Sequence, residues 1–223
     1  MVDLVWYQKY IKDKKAAPVR ISLPFQNIET VNESVQERQK SLELFASGQK
    51  VDWRNRLIWG DKKYILPSLL SEYAGRINLI YIDPPFNTAA DFSFKATIPD
   101  NPDTKIDETT NFVKLPSIIE QKAYRDTWGV TKEEKAQNVQ PLDKYLKWFY
   151  ETIIILRDLL TDDGSIYIHL DWHAGHYCKT ILDEVFGYDN FRNEIVWHYR
   201  TGNLSTKQFQ RKHDVILFYS KSD

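Results

Sequence analysis

The chain has 223 residues, which is enough for one domain with a sizeable core and an appendage. A hydrophobic fraction of 42% and a formal charge of −1 are typical of a globular protein, and they exclude a general attraction to nucleic acid, so DNA contacts would need a local basic patch. Cys178 is the single cysteine, which excludes an intrachain disulfide and a thiolate metal cluster. The absence of a long apolar run and of a secretory signal favours a cytoplasmic protein.

Residues 1–50 are predicted to form an N-terminal arm and a helix. Pro18 and Pro24 interrupt the arm. Apolar residues at helical spacing then predict a helix ending at Gly48, with inward positions Ile28, Val31, Val35, Leu42 and Phe45. Next, residues 56–61 (RLIWGD) predict a short strand, and a helix containing Pro67 is expected to end at Gly75.

The most informative stretch is INLIYIDPPFNT, residues 77–88. Its apolar start, rich in β-branched residues, predicts a strand of a parallel sheet buried on both faces. Pro84 and Pro85 lack the amide hydrogens that would continue a strand ladder, so the strand should stop at Asp83. The Asp83 carboxylate is then displayed at the carboxyl end of the strand, where ligands bind in open α/β sheets.

An acid, a proline carbonyl and an aromatic ring in a row suit chemistry on the amino group of a nucleobase. That nitrogen is a poor nucleophile because its lone pair is delocalised into the ring. If the Asp83 carboxylate and the Pro84 carbonyl each accept one N–H, the lone pair localises and points at an electrophile. Phe86 can stack on the extruded base, and methyl transfer then needs a positioned sulfonium donor.

The second half of the chain predicts further strands of the same sheet. Residues 89–140 form a long stretch typical of a lid or a disordered insertion. A strongly amphipathic helix over 141–160 then leads through a turn at 162–164 into a second buried strand, 165–171. Strand, helix and strand in this order form a parallel crossover, so Asp83 and Asp171 should share one edge of the sheet.

The last elements are a helix and two strands. The helix over 173–186 should end at Gly187, with Tyr177, Ile181, Leu182 and Val185 facing inward. Residues 193–199 and 213–220 predict an antiparallel pair. Residues 192–213, which include the segment that joins these strands, carry a net charge of +4 and suit contacts with DNA phosphates. Glu194 is the single acidic residue there, and the basic residues are Arg192, Arg200, Lys207, Arg211 and Lys212. A solvated hairpin is the alternative.

The string IDPPFNT resembles the Asp-Pro-Pro-Tyr/Phe motif of DNA amino-methyltransferases, and Asp in the first position resembles the adenine-N6 enzymes. The resemblance implies that Asp83, Pro84, Pro85 and Phe86 are catalytic and that S-adenosylmethionine is the cofactor. It also implies donor contacts for Asp61, which follows Gly60, and for Asn87 and Thr88. The block KAYRDTWG is similar to a segment that lies beside the active site in one such family. We therefore expect Asp126 and Trp128 to order the lid or line the base pocket. A loop anchored by Trp128 is the competing interpretation.

Residues 53–222 together resemble the permuted adenine methyltransferases of type III restriction-modification systems. The implied fold is a Rossmann-like α/β class I methyltransferase sheet, incomplete, with an antiparallel pair at one edge. Residues 51–223 would form its catalytic half, since the eight glycines include no G-x-G-x-x-G motif for the donor. We therefore expect a truncated or split enzyme that acts on DNA and needs a second methyltransferase half, a homodimer partner or a restriction subunit.

Two other kinds of protein compete with this interpretation. A metal-dependent hydrolase is conceivable because four potential ligands crowd residues 169–176: His169, Asp171, His173 and His176. No other His or Cys set converges on them by any motif, so we expect no metal. The second alternative is an inactive remnant or a DNA-binding or scaffolding subunit.

Overall fold

The computed structural model describes residues 3–28, 55–93, 98–99, 111–112, 122–200, 207 and 209–222. In chain order, the first elements are β1 (Tyr10–Ile11), β2 (Lys14–Lys15), α1 (Lys62–Tyr73), β3 (Ile77–Ile82), β4 (Asp91–Ser93), β5 (Ile98–Pro99), β6 (Asn111–Phe112) and β7 (Lys122–Arg125). They are followed by α2 (Lys132–Ala136), α3 (Pro141–Leu159), β8 (Leu160–Leu170), α4 (Gly175–Phe186), a 3-10 turn (Tyr188–Asn190), β9 (Phe191–His198) and β10 (His213–Ser220).

A four-stranded sheet in the order β3-β8-β10-β9 forms the centre of the molecule. β3 is parallel to β8, while β10 is antiparallel to both β8 and β9. The predicted α/β class, the parallel crossover and the antiparallel pair at one edge are therefore confirmed. Because β3 and β8 are parallel, their carboxyl ends lie at the same end of the sheet.

The core lies between one face of this sheet and the helices α3 and α4. Alternate residues of β8 from Ile166 onward are fully buried there, as are several residues of both helices: Ile166, Ile168, Leu170, Tyr145, Phe149, Ile153, Ile181 and Leu182. α3 begins with proline at its first turn, as predicted, and is the longest described helix with 19 residues. None of the described helices is both long and apolar enough to cross a membrane.

The prediction that β3 is buried on both faces is wrong. Ile80 is buried, but its neighbours Leu79 and Tyr81 are 60% and 56% exposed. The strand lies at the edge of the sheet, and among the described residues the helices cover only the face that carries Ile80. Alternate residues of a strand point to opposite faces, so Leu79 and Tyr81 stand on the open face.

The predicted strand at residues 56–61 is also wrong. Residues 55–60 have no regular structure, and the side chains of Leu57 and Trp59 are exposed. A strand requires a neighbour for its backbone groups, and this segment pairs with none of the described strands. The helix that follows, α1, is confirmed, with Pro67 inside it and Gly75 in the left-handed region at φ +65°.

Two predicted details of the second half differ from the structure. β8 begins at Leu160 and includes residues 162–164, which were predicted as a turn. Its register against β3 shifts there, because Ile77 pairs with Leu160 and Leu79 with Ser165. On α4, Tyr177 is exposed rather than inward, because the buried stripe runs through Cys178, Ile181 and Leu182 at helical spacing.

The N-terminal arm packs on the core, and it is irregular, as predicted, except for the short antiparallel pair of β1 and β2. The Trp6 ring is buried and makes an edge contact with Tyr150 of α3, with ring centroids 5.2 Å apart. Lys9 is buried beside it, and its ammonium group pairs with Glu184 of α4 at 2.6 Å. Most of the predicted helix ending at Gly48, and the predicted boundary between residues 50 and 51, lie outside the described residues.

Candidate active site

Asp83 follows β3 directly and stands at the carboxyl end of the sheet. The two prolines after it cannot extend the ladder with β8, so the chain leaves the sheet at this point. The side chain of Asp83 is 59% exposed, while Pro84, Pro85 and Phe86 are partly buried. The carboxylate is therefore open to a ligand at the edge of the sheet where ligands bind in this architecture.

A second carboxylate, that of Asp126, holds the turn after Asp83 from the interior. It is 1% exposed and accepts hydrogen bonds from the backbone amides of Asn87 (2.9 Å) and Thr88 (2.7 Å). It also accepts from the Thr88 hydroxyl at 2.6 Å and from the Trp128 indole at 3.3 Å. Asn87 has a φ of +63°, a conformation that needs such support in a residue with a side chain.

Asp126 and Trp128 were proposed as lid or pocket residues. The structure places Asp126 in the interior behind the motif, where it fixes the backbone path of the turn. Trp128 is half-buried and packs its indole edge to face against Tyr145, with ring centroids 5.2 Å apart. Both residues thus connect the turn to the helical layer.

Tyr145 of α3 supports the motif from the same side. Its hydroxyl donates to the Pro85 carbonyl at 2.9 Å, and burial raises the pKa of Tyr145, so this donor keeps its proton across the physiological range. The Cys178 thiol donates to the same hydroxyl at 3.7 Å, and burial raises the pKa of Cys178 to about 12. In the part of the chain that the structure describes, nothing donates to the Pro84 carbonyl, which leaves it as an acceptor for a ligand.

His169 of β8 is the nearest polar neighbour of the motif on the open face of the sheet. Its Nδ1 lies 3.8 Å from Asp83 Oδ1 and 3.3 Å from the Tyr81 hydroxyl. Its Nε2 lies 3.2 Å from Asp214 Oδ2 on β10. The imidazole also faces Phe86, with ring centroids 5.6 Å apart. A row of polar groups therefore crosses the ends of three strands.

The residues proposed to bind the methyl donor differ in which of their polar groups remain available to a ligand. Asp61 caps α1, with Oδ1 accepting from the Lys63 amide at 2.8 Å, but its side chain is exposed. Thr88 is engaged by Asp126 through both its amide and its hydroxyl. Among these residues, the exposed Asp61 carboxylate and the Asn87 side-chain amide therefore remain available to a ligand, whereas the polar groups of Thr88 are engaged.

The basic residues proposed to contact DNA do not form a single patch. His213 pairs with His198, so the segment between β9 and β10 emerges at the same end of the sheet as Asp83. Arg211 lies there, with its guanidinium 3.5 Å from the Trp172 ring centroid. Arg192 lies at the opposite end, six residues or about 20 Å from His198 along β9, and it donates to Ser220 at 2.7 Å. The others are Arg200, Lys207 and Lys212.

The histidines considered as metal ligands are engaged with separate partners. His173 Nδ1 is bonded to Asp171, whereas His169 Nε2 faces Asp214. Among the described residues, no three His, Cys, Asp or Glu side chains are arranged to hold a metal ion. Two cavities, of about 600 and 250 Å³, border Trp128, and neither is lined by residues of the motif.

Sequence reasoning missed three residues of this site. In the sequence, Tyr145 is one of many apolar residues of an amphipathic helix, and nothing distinguishes it from the others. His169 was interpreted only as a potential metal ligand. Asp214 received no role, because its position opposite His169 depends on the register between β8 and β10. One signal was available, since His169 precedes the end of β8 by one residue, at the edge already assigned to Asp83.

A mixed sheet that presents Asp-Pro-Pro-Phe at the end of a parallel strand defines an incomplete class I methyltransferase fold. A comparison with protein families agrees, because the family described as "DNA methylase" matches residues 77–223. The chain therefore belongs to the DNA methylase family.

Three individual proteins show what this chain is similar to within and around this family. The Mod subunit of the Escherichia coli type III restriction-modification enzyme EcoP15I is 30% identical over 167 residues, which cover 74% of this chain and 24% of that protein. The type II methyltransferase M.EcaI of Enterobacter cloacae is 30% identical over 178 residues, covering 79% of this chain and 31% of that protein. The solved structure of PvuII DNA methyltransferase (cytosine-N4-specific) matches with a TM-score of 0.40 and 15% identity, over 73% of this chain and 48% of that chain.

These relatives confirm the predicted resemblance to Mod subunits. The match covers only part of each relative. The chain spans about a quarter of the length of the Mod subunits that it matches.

Proposed function

We propose that this chain transfers a methyl group from S-adenosylmethionine to N6 of an adenine turned out of DNA, as part of a restriction-modification system. The observation that carries the proposal is the exposed Asp83 carboxylate beside the Pro84 carbonyl at the end of β3. Membership of the DNA methylase family supports the same reaction.

Asp83 and Pro84 act on the amino group of the base. Each oxygen accepts one N–H of that group, which draws the lone pair out of conjugation and directs it away from the ring. Phe86 and Pro85 bound the pocket for the base, and the Phe86 ring stacks on it. Asp126 and Tyr145 hold the backbone of Thr88 and Pro85, next to both acceptors, so little reorganisation is needed when the base enters.

S-adenosylmethionine, when bound, supplies an electrophilic methyl group attached to a positively charged sulfur. Asp61 and Asn87 are the residues of this chain that would hold the donor through its polar groups. Their task is orientation, because displacement at a methyl carbon requires the attacking nitrogen to lie in line with the bond that breaks.

The choice of adenine rests on Asp83. Cytosine-N4 enzymes usually carry Ser in the first position of the motif, and this chain resembles the adenine enzymes there. DNA contacts are assigned to the basic residues at the site end of the sheet, Arg200, Arg211 and Lys212, with Lys207 in the same segment. A restriction subunit is the proposed partner, since four of the relatives are Mod subunits of restriction-modification enzymes. We also assign the chain to the cytoplasm, because its proposed substrate is DNA.

The first experiment is calorimetric titration of the purified chain with S-adenosylmethionine, followed by incubation with DNA and radiolabelled donor. Digestion and mass analysis of the nucleosides then identify the methylated base. We expect N6-methyladenine from the unaltered chain, and a loss of at least about 100-fold in the rate for Asp83→Ala with DNA binding nearly unchanged. Asp163→Ala, which removes an exposed carboxylate of β8, is the matched control and should retain activity.

Each alternative gives a different result. N4-methylcytosine as the product would contradict the assignment of adenine, and full activity of Asp83→Ala would contradict the assignment of the site. Binding of DNA without donor binding or methylation would favour a DNA-binding or scaffolding subunit.

A further inference from the structure

The reaction proposed above leaves a proton to be removed. When the amino nitrogen gains a methyl group it still holds both of its hydrogens, and it becomes positively charged. One N–H bond must break to give the neutral product. We propose that His169, held by Asp214, is the final acceptor of that proton and receives it through Asp83. This inference rests on the proposed function and assigns His169 and Asp214 a positioning and proton-transfer role within it.

The hydrogen-bond partners of His169 determine which nitrogen can accept a proton. Nε2 lies 3.2 Å from Asp214 Oδ2, and an ionised carboxylate can only accept a hydrogen bond, so Nε2 carries the hydrogen in the neutral imidazole. Nδ1 is then left with a lone pair. It points toward the Tyr81 hydroxyl at 3.3 Å and Asp83 Oδ1 at 3.8 Å, both on β3.

Asp214 is placed to stabilise the charged imidazolium that forms. Its side chain is 17% exposed, and its second oxygen, Oδ1, accepts from the Tyr199 hydroxyl at 3.2 Å. A carboxylate fixed in this way orients an imidazole and stabilises its protonated form, as in a Ser-His-Asp triad. The groups that face His169 are thus Tyr81 and Asp83 from β3 and Asp214 from β10, with Tyr199 behind Asp214.

The distance between Asp83 and His169 fits a transfer that is made during turnover. At 3.8 Å the two atoms are too far apart for a hydrogen bond, and they must approach by about 1 Å before the proton moves. The exposed Asp83 side chain has the freedom to make this approach. His169 is partly exposed, so its imidazolium can release the proton to water afterwards.

The step balances in atoms and charge. The nitrogen lone pair forms the N–CH₃ bond while the methyl–sulfur bond breaks and leaves its electron pair on sulfur. The methylated amino group gives a proton to the Asp83 carboxylate, and the resulting carboxyl group gives a proton to His169 Nδ1. Asp83 is again ionised and can accept the next amino group.

The competing explanation is that His169 serves only as a packing partner for the Phe86 ring, whose centroid lies 5.6 Å away. A packing role does not require a particular tautomer of His169, and it predicts no pH dependence of the methylation rate from this residue. Two measurements on the full chain separate these explanations.

The first measurement determines the tautomer of His169 by long-range ¹⁵N–¹H NMR, without donor or DNA. Neutral His169 should carry its hydrogen on Nε2, and Asp214→Ala should mix the two tautomers while leaving exposed His176 unchanged. A hydrogen on Nδ1, or a tautomer unaffected by Asp214→Ala, would overturn the proposal.

The second measurement is the steady-state rate of methylation over many turnovers as a function of pH, because the transfer to His169 restores the Asp83 carboxylate for the next amino group. His169→Gln should lower the rate at least about tenfold with unchanged affinity for donor and DNA. The rate of the unaltered chain should decline on the acid side, because a protonated His169 cannot accept a further proton, and His169→Gln should lack this decline. His176→Gln is the control and should behave as the unaltered chain. If the unaltered chain methylates DNA and His169→Gln matches its rate and pH profile, the proton-transfer role is refuted while the proposed function stands. If the unaltered chain transfers no methyl group to any DNA, both are refuted.

Discussion

Two aspartates of this site have opposite environments, and their burial accounts for their different tasks. Asp83 is exposed and meets the ligand, whereas Asp126 is 1% exposed and meets only the protein. A buried carboxylate is tolerated when hydrogen bonds satisfy its oxygens, and Asp126 accepts four of them. Two of these donors are backbone amides, so Asp126 determines the conformation of the main chain next to the acceptors.

Asp126→Asn tests this role. The amide would replace one accepting oxygen with an NH₂ group that faces N–H or O–H donors, leaving a buried group unsatisfied. We expect the free energy of unfolding to fall by about 2–3 kcal/mol in urea titrations. The turn after Asp83 should loosen, so the rate of methylation should fall while the affinity for DNA changes little.

Asp189→Asn, in the exposed 3-10 turn, makes the same chemical change where no such hydrogen bonds exist among the described residues. It should leave both stability and rate unchanged. If Asp126→Asn were as stable and as active as the unaltered chain, the support that we assign to Asp126 would be contradicted.

The sequence predicted the exposed half of the site more completely than its support. Asp83, Pro84 and Phe86 are contiguous, and their chemistry follows from the order of the residues. Asp126 contacts Thr88 across 38 positions of sequence, and Tyr145 contacts Pro85 across 60. Such contacts depend on how a loop and a helix pack behind the sheet, which local patterns do not determine.

At the scale of elements, a lysine connects α1 to α3. The Lys62 ammonium group donates to the Trp148 carbonyl at 3.0 Å and to the Thr152 hydroxyl, and it lies 4.3 Å from the Trp148 ring centroid. Burial lowers the pKa of Lys62 to about 8, against a smaller opposing effect of Glu151. The contact between the two helices should therefore depend on pH.

The expected direction follows from proton binding. Between pH 8 and about 10.4, the usual pKa of an unfolded lysine, the folded chain has released the Lys62 proton and the unfolded chain still holds it. Stability contributed by Lys62 rises with pH in this window, because the unfolded state binds more protons. Relative to Lys62→Met, which cannot titrate, the unaltered chain should gain about 1–3 kcal/mol in the free energy of unfolding between pH 8 and 10.4.

Urea titrations of both proteins at several pH values measure this difference, and the ionisation of other groups cancels between them. Lys63→Met, the exposed neighbour on the same helix, should show no such trend. A difference between the unaltered chain and Lys62→Met that does not change with pH would contradict the burial of this ammonium group.

The order of the helices and strands could be predicted from the sequence. Which face of each strand is buried by neighbouring elements could not. Periodicity identified α3 and α4, and the turn chemistry of Asp-Pro-Pro placed the end of β3. An apolar run such as INLIYI does not reveal which of its faces is covered, because this depends on the layers around the sheet. The same limit explains residues 56–61, whose apolar character favoured a strand that lacks a partner among the described residues.

The whole molecule, as far as the structure describes it, has helices on one face of the sheet and an open face on the other. The open face carries Leu79 and Tyr81 of β3 and Ile195 and Trp197 of β9, all of them exposed. The edge of β3 away from β8 also has no partner among the described strands. Exposed apolar side chains on an uncovered sheet face, next to an unpaired strand edge, are typical of a surface that associates.

We therefore expect the purified chain to self-associate at concentrations above about 10 μM, which sedimentation velocity detects as a concentration-dependent increase in mass. Leu79→Lys combined with Trp197→Lys places two charges on the open face and should keep the chain monomeric. Tyr177→Lys adds a charge at an exposed aromatic residue of α4, on the opposite layer, and should leave the association unchanged. A chain that stays monomeric without any substitution would show that the open face is covered in solution. Equal effects of the substitutions on both layers would show that added charge alone, and not the open face, controls association.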